Sequence, residues 1–293
     1  GGQRHGGRAR VTPALAPDTT VGPIHLTVAD LPRSVRWYEG TLGLGPTATD
    51  EPAGATSLGV GGDDLVVLHE EPGARPVEGH TGLFHYALLV PERADLGAWL
   101  AHVLGDRIPL TGASDHIVSE ALYLRDPDNH GIEVYRDRPR DEWERDGEQV
   151  RMASDRLDLP SLLAAAPDGP AGVPAGTRMG HVHLHVADIP AAEAFYRDVL
   201  GFDKTAMLGD QASFFSAGGY HHHVGVNTWA GVGVPPPPPG SAALRHATIL
   251  LPTADERERV AGRASDAGAE PVATGDGILI RDPSANGLVL AVP

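Results

Sequence analysis

The sequence predicts an α+β protein built from tandem βαβββ modules, and three observations predict it. Val21–Ala48 aligns without a gap to Met179–Ala206, sharing Gly22/Gly180, His25/His183, Asp30/Asp188, Pro32/Pro190, Tyr38/Tyr196 and Leu42-Gly43/Leu200-Gly201. Two further echoes follow in the same order: Leu83–Pro91 against Leu244–Pro252, and RDPDNHG at 125–131 against RDPSANG at 281–287. Within each copy a helical apolar period alternates with short period-two runs, and it does so twice. At 293 residues the chain is long enough for two domains, each with its own core.

The copies divide the chain into a flexible N-terminal tail at 1–20, a first domain at 21–138, a linker at 139–176 and a second domain at 177–293. Gly1–Arg10 is rich in Gly and Arg. The alternating run Ile24–Val28 reads as the first strand. Asp30 is a suitable N-cap, Pro32 suits the first turn, and Val35, Tyr38 and Leu42 recur at helical spacing until Gly43 ends the helix. Short strands follow near 56–60 and 64–69. The second half repeats the order with a strand at 84–90, a helix near 94–104, and strands near 117–124 and 131–135. The linker is charged and then rich in Ala, Pro and Gly, with one helix expected at 159–166. Pro235–Pro239 reads as an extended polyproline loop. Asp126 and Asp128 belong to an Asp-Pro turn and receive no catalytic role.

Composition excludes several classes of function. The net charge of −16 argues against a nucleic-acid partner, which needs basic patches to displace counterions. No apolar stretch is long enough to span a membrane. The absence of cysteine removes disulfides, thiolate metal sites and thiol nucleophiles, and fits a reducing cytoplasm. Fifteen histidines against five phenylalanines direct attention to imidazole chemistry.

The doubled βαβββ pattern, the HLxVxD–Pro–xxxY–xxLG openings and the DPxxxG–IEVY ending resemble the vicinal oxygen chelate superfamily, which contains glyoxalases, bleomycin resistance proteins and dioxygenases. The segments TGLFHYALLVPERADL, GASDHIVSEALYLRDPDNHGIEVYRDRP and GGYHHHVGVNTW carry a closer likeness to its two-domain, catechol 2,3-dioxygenase-like extradiol enzymes. The likeness covers nearly the whole chain outside the tail and part of the linker. It implies two domains, each a cupped, barrel-like mixed sheet with flanking helices.

Non-haem iron oxygenases use two imidazoles and one carboxylate on one face of the metal. The resemblance puts His25, His85 and Glu133 at those places in the first copy. The repeat gives His183, His246 and Val289 in the second, where the carboxylate is lost. Glu133 is notable in its own right, because a carboxylate in the apolar run Ile132–Val134 is costly unless paired or metal-bound. The resemblance further implies an acid–base role for His69, sixteen residues before His85. It implies substrate and oxygen contacts for Tyr123, ten residues before Glu133, and for His116. In the Tyr220–His223 run, His221 and His223 share one face of a strand and His222 takes the other. A second cluster of His183, His246 and one of these, His222, could bind zinc; a hydrogen-bonded polar core or an inter-domain contact is the alternative.

The implied activity is Fe(II)-dependent extradiol cleavage of a catechol-type aromatic with O2, with Mn(II) as the other metal these donors suit. A small aromatic diol and O2 are then the partners, in a monomer or homo-oligomer. Two rivals share the fold. A non-redox glyoxalase or thiol transferase would add a fourth ligand near Glu70. A metal-free antibiotic-binding protein would need an aromatic-lined cleft.

Overall fold

The computed structural model describes residues 14–49, 51–147, 149–166 and 169–293. The expected flexible segment Gly1–Arg10 lies outside them. Residues 14–19 of the expected tail are docked: Leu15 is buried, its N–H donates to the Gly201 carbonyl at 2.9 Å, and Ala16 N–H donates to Glu256 at 2.7 Å.

Four βαβββ modules follow one another. Module one holds β1 (Thr20–Val28), α1 (Leu31–Leu42), β2 (Gly45–Pro46), β3 (Ala55–Val60) and β4 (Asp63–Glu70). Module two holds β5 (Gly82–Leu89), α2 (Arg93–Gly105), β6 (Gly112–Asp115), β7 (Ser119–Arg125) and β8 (Gly131–Asp137). The linker forms the hairpin β9 (Arg145–Asp146) and β10 (Gln149–Val150), then the short helix α3 (Leu159–Ala164). Module three holds β11 (Arg178–His185), α4 (Ile189–Glu193) continuing as a π-helical stretch over Ala194–Leu200, β12 (Asp203–Leu208), β13 (Ala212–Ser216) and β14 (Val224–Asn227). Module four holds β15 (Leu244–Leu250), α5 (Ala254–Asp266), β16 (Val272–Ala273), β17 (Ile278–Arg281) and β18 (Gly287–Ala291).

Local chemistry accounts for the helix ends. Asp30 accepts from Arg33 N–H at 2.8 Å, Pro32 occupies the first turn, and Gly43 closes α1 at φ 81°. The repeat reproduces this at Asp188, Pro190 and Gly201. Pro235–Pro239 lies outside helix and strand, and the Pro235 carbonyl accepts from Thr81 N–H at 3.0 Å.

The strands form two eight-stranded mixed sheets, β16-β17-β18-β15-β1-β4-β3-β2 and β12-β13-β14-β11-β5-β8-β7-β6. Each sheet therefore draws one half from each sequence repeat: module one joins module four, and module two joins module three. The joins are antiparallel, β1 to β15 and β5 to β11, while β1–β4, β5–β8, β11–β14 and β15–β18 are parallel. At both joins two histidines face each other, His25 opposite His246 and His85 opposite His183. The apolar core runs through both sheets and the helices over them, with Tyr38, Trp99, Tyr196 and Phe215 fully buried. Among the described residues no helix is long and apolar enough to cross a membrane.

Candidate metal centre and substrate cavity

The second sheet brings one carboxylate and two imidazoles to a single point. Glu133 Oε2 lies 3.0 Å from His85 Nε2 and 3.1 Å from His181 Nε2. All three residues are at least 94% removed from solvent, with relative exposures of 2%, 6% and 1%. They are held by β8, β5 and β11, neighbouring strands around the join between modules two and three. Burial by itself would push Glu133 up, but His181 and His85 hold its carboxyl well below the usual range. Burial lowers His181 to about 4 against the pull of Glu133. The site thus sets a neutral His181 imidazole and the His85 ring against one anion near neutral pH.

This donor set fits a divalent metal. Separations of 3.0–3.4 Å between the three donor atoms match the ~3 Å edges expected for bonds of about 2.0–2.2 Å to one ion. Two imidazoles and a carboxylate on one face leave the other coordination positions open. Among the described residues no fourth donor joins them. Glu70, considered as a fourth ligand, sits in the other sheet and accepts from Leu31 N–H at 2.9 Å.

The expected grouping of His25 with His85 and Glu133 is not what the structure has. His25 belongs to the first sheet, where its ring stacks on His246 at 3.9 Å. The physical reason is strand pairing: β5 joins β11 rather than β1, so the second imidazole comes from His181. Repeat logic passed over His181 because Pro23 stands opposite it in the first copy. Its signal was the run GHVHLHV, three histidines at alternate positions in an apolar strand.

His69 is likewise not at this centre. It lies on β4 in the first sheet, with Nε2 3.1 Å from His25 Nδ1. The cluster of His183, His222 and His246 is divided for the same reason: His246 stays in the first sheet, while His183 and His222 both line the cavity beside Glu133.

That cavity has a volume of about 940 Å³. His85, His181 and Glu133 form one wall, and Phe84, Phe214 and Trp229 supply aromatic surface. Linker residues 144–146 and 149–154 form another part of the lining. The sequence offered little sign of this, because the linker is polar and carries no motif.

Tyr123 and His116 are both in the cavity lining, and they touch. His116 Nδ1 lies 2.6 Å from the Ala153 carbonyl, which can only accept, so that nitrogen carries the proton. Its Nε2 is then an acceptor, 2.6 Å from the Tyr123 hydroxyl. Burial, reinforced by Glu133, pushes the Tyr123 phenol well above its usual value, so it stays protonated.

His222 has a similarly defined tautomer. His221 Nε2 lies 2.9 Å from Asp137 Oδ1 and donates to it. In the neutral His221 tautomer Nδ1 accepts, and His222 Nδ1, 2.8 Å away, donates to it. The remaining His222 nitrogen, Nε2, carries a lone pair. Its ring is 4.1 Å from that of His181, and burial holds His222 well below the ordinary histidine value. The geometry therefore sets a neutral imidazole beside the candidate metal donors.

The fold and site define the class. The chain belongs to the Glyoxalase/Bleomycin resistance protein/Dioxygenase superfamily, which its residues 20–134 match; residues 178–207 match the Bleomycin resistance protein-like N-terminal family. A catechol-2,3-dioxygenase of Bacillus subtilis (strain 168) is 43% identical over 272 residues, spanning 91% of this chain and 94% of that protein. Crystal structures share the fold at low identity. A Bacillus subtilis protein provisionally named a dioxygenase matches at TM-score 0.65 and 15% identity, over 95% of this chain and 86% of its own. Glyoxalase I from Zea mays matches at TM-score 0.59 and 15% identity, over 94% and 92%.

Proposed function

We propose that this chain is an extradiol ring-cleaving dioxygenase that opens a catechol-type ring next to the diol with O2. His85, His181 and Glu133 would hold its metal, Fe(II) by this reading, with Mn(II) the alternative these donors suit. The observation that carries the reading is the convergence of two imidazole nitrogens and one carboxylate oxygen on one wall of the cavity. The 43% identical catechol-2,3-dioxygenase supports the reaction class.

A metal held by His85, His181 and Glu133 would supply open positions for the diol oxygens and O2 and a route for electron transfer between them. The other roles fall to side chains. A cavity of about 940 Å³ is at the roomy end for a small aromatic ligand, so a substituted catechol fits. Phe84 and Trp229, edge to face at 5.1 Å, give its ring an apolar wall and exclude water. His222 accepts a hydroxyl proton at Nε2, and the His221–Asp137 chain behind it stabilises the resulting imidazolium. Tyr123 presents a hydroxyl at the same wall, held by His116, which is itself fixed by the linker carbonyl of Ala153.

The test is metal content together with an assay on catechol, first anaerobic and then aerobic, watching for the yellow ring-opened semialdehyde. Colour that needs both iron and O2 is the expected result. Bound metal without O2 uptake across several catechols would overturn the proposal in favour of a non-redox, glyoxalase-type reaction. Well-folded protein with no metal, binding aromatic antibiotics tightly, would replace it with a resistance protein.

A further inference from the structure

The first sheet repeats the geometry of the join without repeating the chemistry. In the second sheet β7 and β8 set Tyr123 opposite Glu133; at the matching place β17 and β18 set Leu279 opposite Val289. Both functional side chains are gone, and Val289 leaves this join with no carboxylate from its own strand. Imidazoles nonetheless collect there. His25 on β1 stacks on His246 of β15 at a centroid distance of 3.9 Å, and His25 Nδ1 lies 3.1 Å from His69 Nε2 on β4.

A carboxylate arrives from elsewhere. Asp276, in the connection between β16 and β17, brings an oxygen within 4.8 Å of ring nitrogens of both His25 and His246. Its charge also reaches His69. His246 Nε2 is buried and has no hydrogen-bond partner, which leaves a polar atom unsatisfied unless a ligand occupies it. Core packing accounts for only part of the group: His25 and His69 satisfy one another, while His246 Nε2 is left without a partner. Arg245 lies beside the three histidines and opposes a cation, and Asp276 is the charge set against it.

The geometry points to a second metal site at this join, in which His25, His246 and Asp276 hold one divalent cation of the zinc type. Two imidazoles and one carboxylate are borderline nitrogen and oxygen donors that suit Zn2+, with a water completing a tetrahedron. His69 Nε2, 3.1 Å from His25 Nδ1, orients the His25 ring from behind. None of the three donors lines the cavity beside Glu133, so the site is structural. It ties β1 to β15 and the β16–β17 connection, joining the first module to the last. This inference does not rest on the proposed dioxygenase reaction.

The experiment is metal titration of the full chain after chelator treatment, with Zn2+ followed by calorimetry and Co2+ followed by visible absorption. The wild-type chain should bind two equivalents, one of them giving the intense bands of tetrahedral Co2+. Asp276→Asn changes an exposed residue, so it tests the site without testing folding. It should weaken the tetrahedral equivalent by about tenfold or more, and His246→Leu should remove it. Glu133→Gln should leave that equivalent in place while weakening the other. A wild-type chain that binds a single equivalent, or a tetrahedral equivalent unaffected by Asp276→Asn, overturns the proposal.

Discussion

His85 Nε2 and His181 Nε2 stand 3.4 Å apart although 96 residues separate them and they come from different sequence repeats. The β5–β11 pairing creates the contact, so neither repeat alone can build the centre. Glu133 Oε2 reaches both nitrogens and supplies the negative charge of the three near neutral pH.

Glu133→Gln should therefore cost most of the metal affinity while keeping the shape of the site. Even residues that merely orient a ligand contribute about 10–100-fold, so replacing the charged donor itself should cost about a hundredfold or more. Metal content after dialysis and single-site titration check this. A Glu133→Gln protein that retains metal and full turnover would remove Glu133 from the centre.

His222→Gln separates binding from proton transfer. The substitution removes the ring nitrogen that faces away from His221 and replaces no metal donor, although the ring packs against that of His181. Turnover should fall about 10²–10⁴-fold, the usual range for a positioned acid–base group, at unchanged metal content. A drop confined to KM, or parallel loss of metal, would make His222 a packing or supporting residue.

What the sequence revealed follows how far each interaction reaches along the chain. The ends of α1 were legible because Asp30, Pro32 and Gly43 act on their own neighbours. Glu133 was legible because a carboxylate between Ile132 and Val134 has no apolar explanation. For Tyr123 and Glu133 the sequence showed only a ten-residue spacing, and the antiparallel pairing of β7 with β8 sets the two opposite each other. His181 was hidden because choosing it requires knowing that β5 meets β11, a pairing that an internal repeat leaves open. For the same reason His25 and His69 were grouped with residues of the other sheet. Ala153 was invisible, since it fixes His116 through a backbone carbonyl that any residue could supply.

His223 gives the chain a pH-dependent stability whose sign can be worked out. Its neutral Nδ1 accepts from Ala217 N–H at 3.2 Å, a bond that protonation abolishes. Burial, with His221 and His181 adding to it, lowers its pKa from 6.5 to about 3. Below pH 6.5 the unfolded chain takes up this proton and the folded chain does not. Stability present above pH 6.5 is therefore lost as the pH falls towards 3, by at most about 1.4 kcal/mol per unit. Urea midpoints of metal-free protein at pH 7 and pH 5 should differ, and His223→Gln should shrink the difference by roughly 1–2 kcal/mol. An undiminished difference would place the pH dependence on other groups.

Ala285 marks a place where one repeat carries a better residue than the other. It sits at φ 65° in the Asp-Pro turn of module four, and Asn129 occupies the matching place in module two at φ 68°. The two turns are otherwise alike: the Asn129 carbonyl accepts from Arg125 at 2.8 Å, and the Ala285 carbonyl accepts from Arg281 at 3.0 Å. Alanine in the left-handed region costs about 1–2 kcal/mol, whereas Asn visits it readily. Ala285→Asn should stabilise the protein by about 0.5–1 kcal/mol, seen as a higher urea midpoint with an unchanged slope. Glycine is the poorer test, because its extra freedom in the unfolded chain offsets the relief of strain. Since the turn follows β17 and touches neither proposed metal site, the gain should persist in metal-free protein. A midpoint that stays level or falls would show that the turn holds alanine without strain.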